Sequence, residues 1–326
     1  MKVKDVGIYG WGSCVPEGVV TNFELEGMVL TSDEWIRERT GILKRHVACR
    51  GEKTSNLAIT ALQNALKLGN VKPDEIDLII VATSSPDMLF PATACIVQDA
   101  IGAKKAAAFD LSLACTGFVY ALCVGAQFIQ NNAYKCVAVI GADILTRFID
   151  WSDRKTAILF GDGAGACILK SKPGNEWWFF LGSDGSGADH LKISGSGSSD
   201  HDRFGTSQKR LPTIQMNGQE VFKFAVRSMV QSVKNVIEES KLSFDDISKI
   251  VPHQANKRII ESVRKHLKLD NEKFYVNVER FGNTSAASIP IAIDEAYRSG
   301  VIRSGDKIVL AAFGAGFAFG SGLISL

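Results

Sequence analysis

The sequence predicts an α/β protein made of two similar halves, with its strands paired largely in parallel. Three observations carry that prediction. A unit of helix, acidic turn and strand occurs at residues 55–85 and again at 226–256. A strand-like run at 135–142 is echoed at 307–314. These runs are apolar nearly throughout, as in strands buried on both faces, and they alternate with helix-like stretches.

The elements follow in chain order. Residues 1–10 alternate like a first strand and lack the long apolar core of a signal peptide. In the first unit Leu57, Ala58, Ala61, Leu62, Ala65 and Leu66 fall at helical spacing, 72–77 turns, and 78–85 is a strand. Residues 106–113 read as a strand end, and 117–129 as a helix apolar nearly all round, hence one inside a large core. After the strand at 135–142, residues 157–160 and 166–169 read as partner strands joined by a tight bend. The bend is Gly161-Asp162-Gly163-Ala164-Gly165, which leads into a strand and so lacks the setting of a dinucleotide-binding turn. The halves are expected to meet near residue 172, giving units 1–172 and 173–326. Residues 182–208, rich in Gly, Ser and Asp, read as a loop long enough to be a lid or pocket wall. In the second unit Val226, Met229, Val230, Val233, Val236 and Ile237 form the helical stripe, and 249–256 carries the strand.

Composition excludes several classes. The 326 residues, 46% hydrophobic and 22% charged, suit a soluble globular protein with a sizeable core. A net charge of +2 gives no global case for nucleic acid. No apolar run approaches membrane-spanning length without interruption, so no membrane partner is expected. Seven scattered cysteines with no C-x-x-C pair suggest neither a disulfide framework nor a metal site. These features fit a reduced, cytoplasmic protein without a cofactor.

Cys115 stands at the joint between a strand-like and a helix-like run. There, unpaired backbone N–H groups and the helix dipole would favour the thiolate. By itself the segment fits a plain buried cysteine better than a nucleophile. Five histidines occur, at 46, 190, 201, 253 and 266, and only His253 follows a buried strand into an abrupt turn. Asn283 lies in Phe-Gly-Asn-Thr-Ser-Ala-Ala-Ser-Ile-Pro, a polar turn opening a small-residue helix that Ser and Thr are fit to cap. Duplication lets strand ends from both halves converge, so these residues can meet Cys115. The C-terminal run Phe313-Gly314-Ala315-Gly316-Phe317 permits close backbone approach, and its N–H groups with that of Cys115 suit an oxyanion hole.

Cys115 in Asp-Leu-Ser-Leu-Ala-Cys-Thr-Gly-Phe, His253 in Val-Pro-His-Gln-Ala-Asn, the Asn283 motif and the terminal Phe-Gly-Ala-Gly-Phe together resemble the β-ketoacyl-[acyl-carrier-protein] synthase III family. The resemblance covers essentially the whole chain, including 31–42, 83–87 and 160–166. It implies a duplicated thiolase-like fold, αβαβα in five layers, and a homodimer. It also implies the initiating condensation of type II fatty acid synthesis, joining a short acyl-CoA to malonyl-acyl carrier protein. Cys115 would hold the acyl group, with His253 and Asn283 as neutral donors to the malonyl enolate. Backbone N–H groups of Cys115 and Ala315 would form the oxyanion hole. The family usually has glycine at the Ala315 position, which puts the local backbone and pocket width in question.

The resemblance also gives Trp35, Arg39 and Arg154 to CoA, and Phe90 to the acyl pocket of a dimer partner. The helix after His253 is basic on one side, with Lys257, Arg258, Arg264, Lys265 and Lys268, and apolar on the other. Acyl carrier protein is acidic, so Lys257, Arg258 and Lys223 are expected docking points. A degradative thiolase would need a thiol in the terminal glycine run, and elongating synthases use two histidines. A polyketide- or quinolone-type synthase with the same three residues is the alternative.

Overall fold

The computed structural model describes residues 1–195, 198 and 212–326. The chain opens with β1 (Lys2–Cys14), followed by a small ribbon of β2 (Val19–Thr21) and β3 (Lys44–His46). Helices α1 (Asn22–Glu26) and α2 (Asp33–Thr40) lie between the ribbon strands in sequence. Then come α3 (Thr54–Gly69), β4 (Leu78–Ala82), α4 (Thr93–Ala100), β5 (Ala107–Leu111), α5 (Gly117–Gln130) and β6 (Cys136–Asp143). A short α6 (Arg154–Ala157) precedes the 21-residue β7 (Gly163–Ser183). The second half adds β8 (Leu191–Ser194), β9 (Thr213–Met216), α7 (Gly218–Ser240), β10 (Lys249–Pro252) and α8 (Lys257–Leu267). It ends with α9 (Val278–Phe281), α10 (Ser288–Arg298), β11 (Lys307–Gly314) and β12 (Ala318–Ser325).

The duplication is written in the strand pairing. From one edge, β1, the first part of β7, β6 and β4 pair antiparallel, antiparallel and parallel. The second part of β7, then β12, β11 and β10, repeat those three relationships. So β4 matches β10 and β6 matches β11, as the two sequence echoes require. The parallel β5 extends the first set beyond β4.

Residue 172 lies inside β7, where the strand changes partners. Its residues pair with β6 up to Lys170 and with β12 from Trp178. Between them Lys172-Pro173-Gly174-Asn175 leaves the ladder with β1. Proline cannot donate there, and Gly174 takes a left-handed φ of 79°.

Side-chain alternation sets the layers. On one face Leu78, Ile80, Val137 and Val139, with Val251, Ile308 and Leu310 of the other half, pack on α5 and α10 in a shared central core. On the opposite faces, Ile79, Val81, Ala138 and Ile140 pack on α3, while Ile250, Val309 and Ala311 pack on α7 and α8. The result is helix, sheet, helix, sheet, helix. α5 is buried at Phe118, Val119, Leu122, Cys123 and Ala126, as an all-round apolar helix must be.

Three expectations change. The pairing is not largely parallel. Among the described residues β4–β5, β4–β6 and β10–β11 are parallel, whereas β1–β7, β6–β7, β7–β12, β11–β12, β2–β3 and β8–β9 are antiparallel, because the long β7 and the β11–β12 turn reverse the chain beside each parallel set. Residues 157–160 are not a strand: Asp153 caps α6 by accepting from the N–H of Lys155, and Phe160 makes only an isolated bridge to Asn283. The 182–208 segment is not all loop, because Leu191–Ser194 pairs with Thr213–Met216 as a hairpin. Alternation of Leu191 and Ile193 was the missed signal. His201 lies outside the described residues, as does most of the remaining loop.

Candidate active site

Cys115 sits in a 3-10 turn, Ala114–Thr116, that leads into α5. The turn is sharp: Ala114 takes φ 45°, a left-handed conformation rare for a residue with a side chain. Gly314 lies against this elbow, and a Cβ there would come within 3.0 Å of the Cys115 nitrogen. A side chain there would press on the nucleophile's backbone where β11 passes it.

The thiol is buried and donates to Ser285 Oγ at 3.4 Å. Burial pushes it up to about 12, outweighing the lowering by Ser285, and the nearby Asp143 carboxylate pushes the same way. The expected thiolate-favouring environment is thus absent in the free protein. A short turn supplies few free N–H groups, and desolvation dominates.

His253 follows β10, its N–H donating to Ala311 O at 2.7 Å. Its ring meets Phe313 edge-on, with centroids 5.4 Å apart. Nδ1 lies 2.7 Å from Ser288 Oγ, while the buried Nε2 has no partner. Burial lowers the imidazole to about 3, so the ring is neutral at pH 7.

Asn283 follows Gly282, whose φ of 68° makes the turn. Its backbone donates to Leu159 O at 2.9 Å and accepts from Gly161 N at 3.0 Å. Its Oδ1 accepts from Ser285 N at 2.9 Å, leaving the NH₂ group as the side chain's remaining donor.

Cys115, His253 and Asn283 line one cavity of about 290 Å³, together with Phe313, Trp35 and Arg39. A second cavity of about 410 Å³ also opens on Cys115, between Leu113, Leu145, Phe160, Ile193, Ile214 and Ala315. The thiol therefore stands where two spaces meet. Ala315 begins a helical turn with ordinary backbone, and the left-handed positions fall to Gly316 and Phe317 instead. Its methyl causes no backbone strain, which answers the backbone half of the question raised by a non-glycine residue there, and the residue itself lines the second cavity.

The other expected site residues divide. Trp35 faces the first cavity, with the Arg154 guanidinium 4.6 Å and that of Arg39 5.8 Å from its ring centre. Arg154 also donates to Leu30 O. On α8, Ile259, Ile260, Val263 and Leu267 are buried, while Lys257, Arg258, Lys265 and Lys268 are exposed. Arg264 leaves this ridge: it pairs with Glu261 and caps Leu269 O. Lys223 pairs with Glu220 at 2.9 Å. Phe90 is 85% exposed beside Leu89 at 79%, away from both cavities of its own chain.

Three participants were not singled out from the sequence. Ser285 and Ser288 looked like helix caps, yet α10 has no side-chain cap and both hydroxyls face the site. Asp143, fully buried at the end of β6, accepts from Ser84 N, Ser85 N and Ser85 Oγ, and its other oxygen accepts from Ala286 N. It ties the Ser285 segment to β6, and burial raises its carboxyl above the usual range. Among the described residues no cluster of three or more His, Cys, Asp or Glu could hold a metal ion, and no helix is long and apolar enough to cross a membrane.

Five layers, the internal duplication and a cysteine at a strand–helix elbow define a thiolase-like condensing acyltransferase. Family models for 3-oxoacyl-[acyl-carrier-protein] synthase III match residues 109–185, and for its C-terminal part residues 237–326. The chain is 50% identical over 320 residues to the β-ketoacyl-[acyl-carrier-protein] synthase III of Caldanaerobacter subterraneus subsp. tengcongensis, covering 98% of this chain and 97% of that one. The crystal structure of the Thermus thermophilus synthase III superposes with a TM-score of 0.92 at 44% identity, over 98% and 99% of the two chains. The priming β-ketosynthase of the R1128 polyketide pathway superposes with 0.93 at 33% identity, over 99% and 97%. The chain belongs to the β-ketoacyl-[acyl-carrier-protein] synthase III family.

Proposed function

We propose that this condensing acyltransferase joins a short acyl group from acyl-CoA to malonyl-acyl carrier protein, with Cys115 as the acyl carrier. The observation that carries the residue assignment is the single cavity holding Cys115, Asn283 and an unpartnered His253 Nε2. In the first stage the Cys115 sulfur bonds to the acyl carbon, the bond to the CoA sulfur breaks, and the thiol proton ends on CoA. In the second, the malonyl thioester loses carbon dioxide. His253 Nε2–H and Asn283 Nδ2–H hold the enolate oxygen, and the α-carbon attacks the acyl group. N–H groups of Cys115 and Ala315 hold the tetrahedral oxyanion until the Cys115 sulfur leaves and regains a proton from solvent. The products are β-ketoacyl-acyl carrier protein and carbon dioxide, and no cofactor is required.

CoA enters past Trp35, with Arg39 and Arg154 meeting its phosphates and adenine. The stack of Arg154 on Trp35 supports an adenine site there. The acidic carrier protein docks on Lys257, Arg258 and Lys223. Phe90, exposed on an apolar tip, fits a homodimer in which it closes the partner's acyl pocket. Free thiols at all seven cysteines support a cytoplasmic setting.

A starter for a secondary pathway is the second reading, favoured by the likeness to the R1128 priming enzyme. A panel of acyl-CoAs, scored by condensation with malonyl-acyl carrier protein, tests both. Preference for acetyl or short branched groups supports the first reading. Preference for aromatic or long groups supports the second, and no condensation with any starter overturns both.

A further inference from the structure

We propose that Ser288 is a positioning residue that fixes His253 as its Nε2–H tautomer, keeping a preformed donor aimed into the cavity of Cys115. The inference rests on the role given to His253 above and extends it to a hydroxyl that role does not use.

The argument is a proton count around one buried oxygen. Ser288 opens α10, and its Oγ lies 2.7 Å from Nδ1 of His253 and 3.4 Å from the N–H of Gln254. A serine in a helix commonly gives its proton to a carbonyl one turn back. Among the described residues Ser288 makes no such bond, so Nδ1 is the one acceptor within its reach. A hydroxyl offers one proton and two lone pairs.

Suppose the imidazole proton sat on Nδ1. Ser288 Oγ would then accept from both Nδ1–H and Gln254 N–H, and its own proton would be stranded in a residue only 2% exposed. Stranding a buried donor is costly. With the proton on Nε2, Ser288 donates to Nδ1 and accepts from Gln254, and every group but one is satisfied. The exception is Nε2–H, which is buried without a partner and shares its cavity with Cys115 and Asn283.

Gln254 locks the same frame. Its Nε2 donates to Pro252 O and Tyr275 O, and its Oε1 accepts from Asn277 N. The strand end carrying His253 is thereby tied to the segment that leads through α9 to Asn283. A His253 held in this tautomer offers a donor to a developing enolate. It offers no lone pair at Nε2 to take the Cys115 proton, so acylation proceeds without it.

The test begins with the unaltered protein, labelled with ¹⁵N-histidine, its His253 signals identified by their loss in His253→Gln. The expected spectrum has a pyrrole-type Nε2 and a pyridine-type Nδ1. Ser288→Ala is expected to mix the two tautomers and lower decarboxylation of malonyl-acyl carrier protein on the order of a hundredfold, the scale of one lost oxyanion donor. Acylation by acetyl-CoA stays at the wild-type rate, and Ser288→Thr restores both the spectrum and decarboxylation. A protonated Nδ1 in the unaltered protein, or undiminished decarboxylation by Ser288→Ala, overturns the proposal. The spectrum decides even if Ser288→Ala does not fold. Normal decarboxylation by His253→Ala would instead overturn the role of His253 itself.

Discussion

The Cys115 thiol lies 3.4 Å from the Ser285 hydroxyl, which the chain delivers from 170 residues further on. That contact places the nucleophile in a buried seam between the two halves, where desolvation holds its proton tightly. At a value of about 12, only about one thiol in 10⁵ is ionised at pH 7. Alkylation of Cys115 by iodoacetamide, followed by peptide mapping, is therefore expected to keep accelerating past pH 10. A plateau below pH 8 would contradict this account of the free enzyme.

A Cβ at Gly314 would stand 3.0 Å from the Cys115 nitrogen, tighter than ordinary contact. Gly314→Ala is expected to push the Cys115 N–H, half of the proposed oxyanion hole, by a few tenths of an ångström. Steady-state assay is expected to show activity down by roughly a hundredfold. Thermal unfolding should show a stability loss of about 1–3 kcal/mol, the usual cost of overpacking. Unchanged activity would remove the Cys115 N–H from the mechanism.

The exposed ridge of α8 begins four residues after His253. Arg258→Glu is expected to raise KM for malonyl-acyl carrier protein strongly while leaving KM for acyl-CoA nearly unchanged. Reversing one surface cation acts mainly on encounter with a charged partner, and added salt should shrink the difference. Equal effects on both substrates would place docking elsewhere.

His253 ties stability to pH. Its folded value of about 3 lies below the ordinary 6.5, so the unfolded chain takes the proton first. Stability from this group is complete above pH 6.5 and drains as pH falls toward 3, by on the order of 5 kcal/mol at most. Asp162, pushed up to about 6 by burial, works the other way and gains as pH falls below 6. The comparison is therefore made with His253→Asn, whose melting temperature should fall less steeply between pH 6.5 and 4. Parallel curves for the two proteins would contradict the neutral buried imidazole.

The legible part of this molecule is the part governed by periodicity. Apolar strands and helical stripes at 55–85 and 226–256 named matching elements, because burial imposes the pattern directly on the sequence. The boundary near residue 172 was placed after the run 166–169, and the strand β7 runs on through it to Ser183 while changing partners. Cys115, His253 and Asn283 stood out by their places at strand ends and turns, and one cavity gathers them. The Cys115 acidity was misread because helix-end N–H groups are local, whereas burial by both halves is not. Ser285, Ser288 and Asp143 went unseen for the same reason: their partners lie 35 to 170 residues away. Arg264 looked like part of the basic ridge until its pairing with Glu261 was seen.

The central claim is that Cys115 carries the acyl group while His253 and Asn283 serve the later step. Intact-protein mass spectrometry after mixing with acetyl-CoA tests it most directly. The account predicts one added acetyl mass on the unaltered protein, His253→Ala and Asn283→Ala, mapped to the Cys115 peptide, and none on Cys115→Ala. An acetyl mass retained by Cys115→Ala, or absent from the unaltered protein, would contradict it.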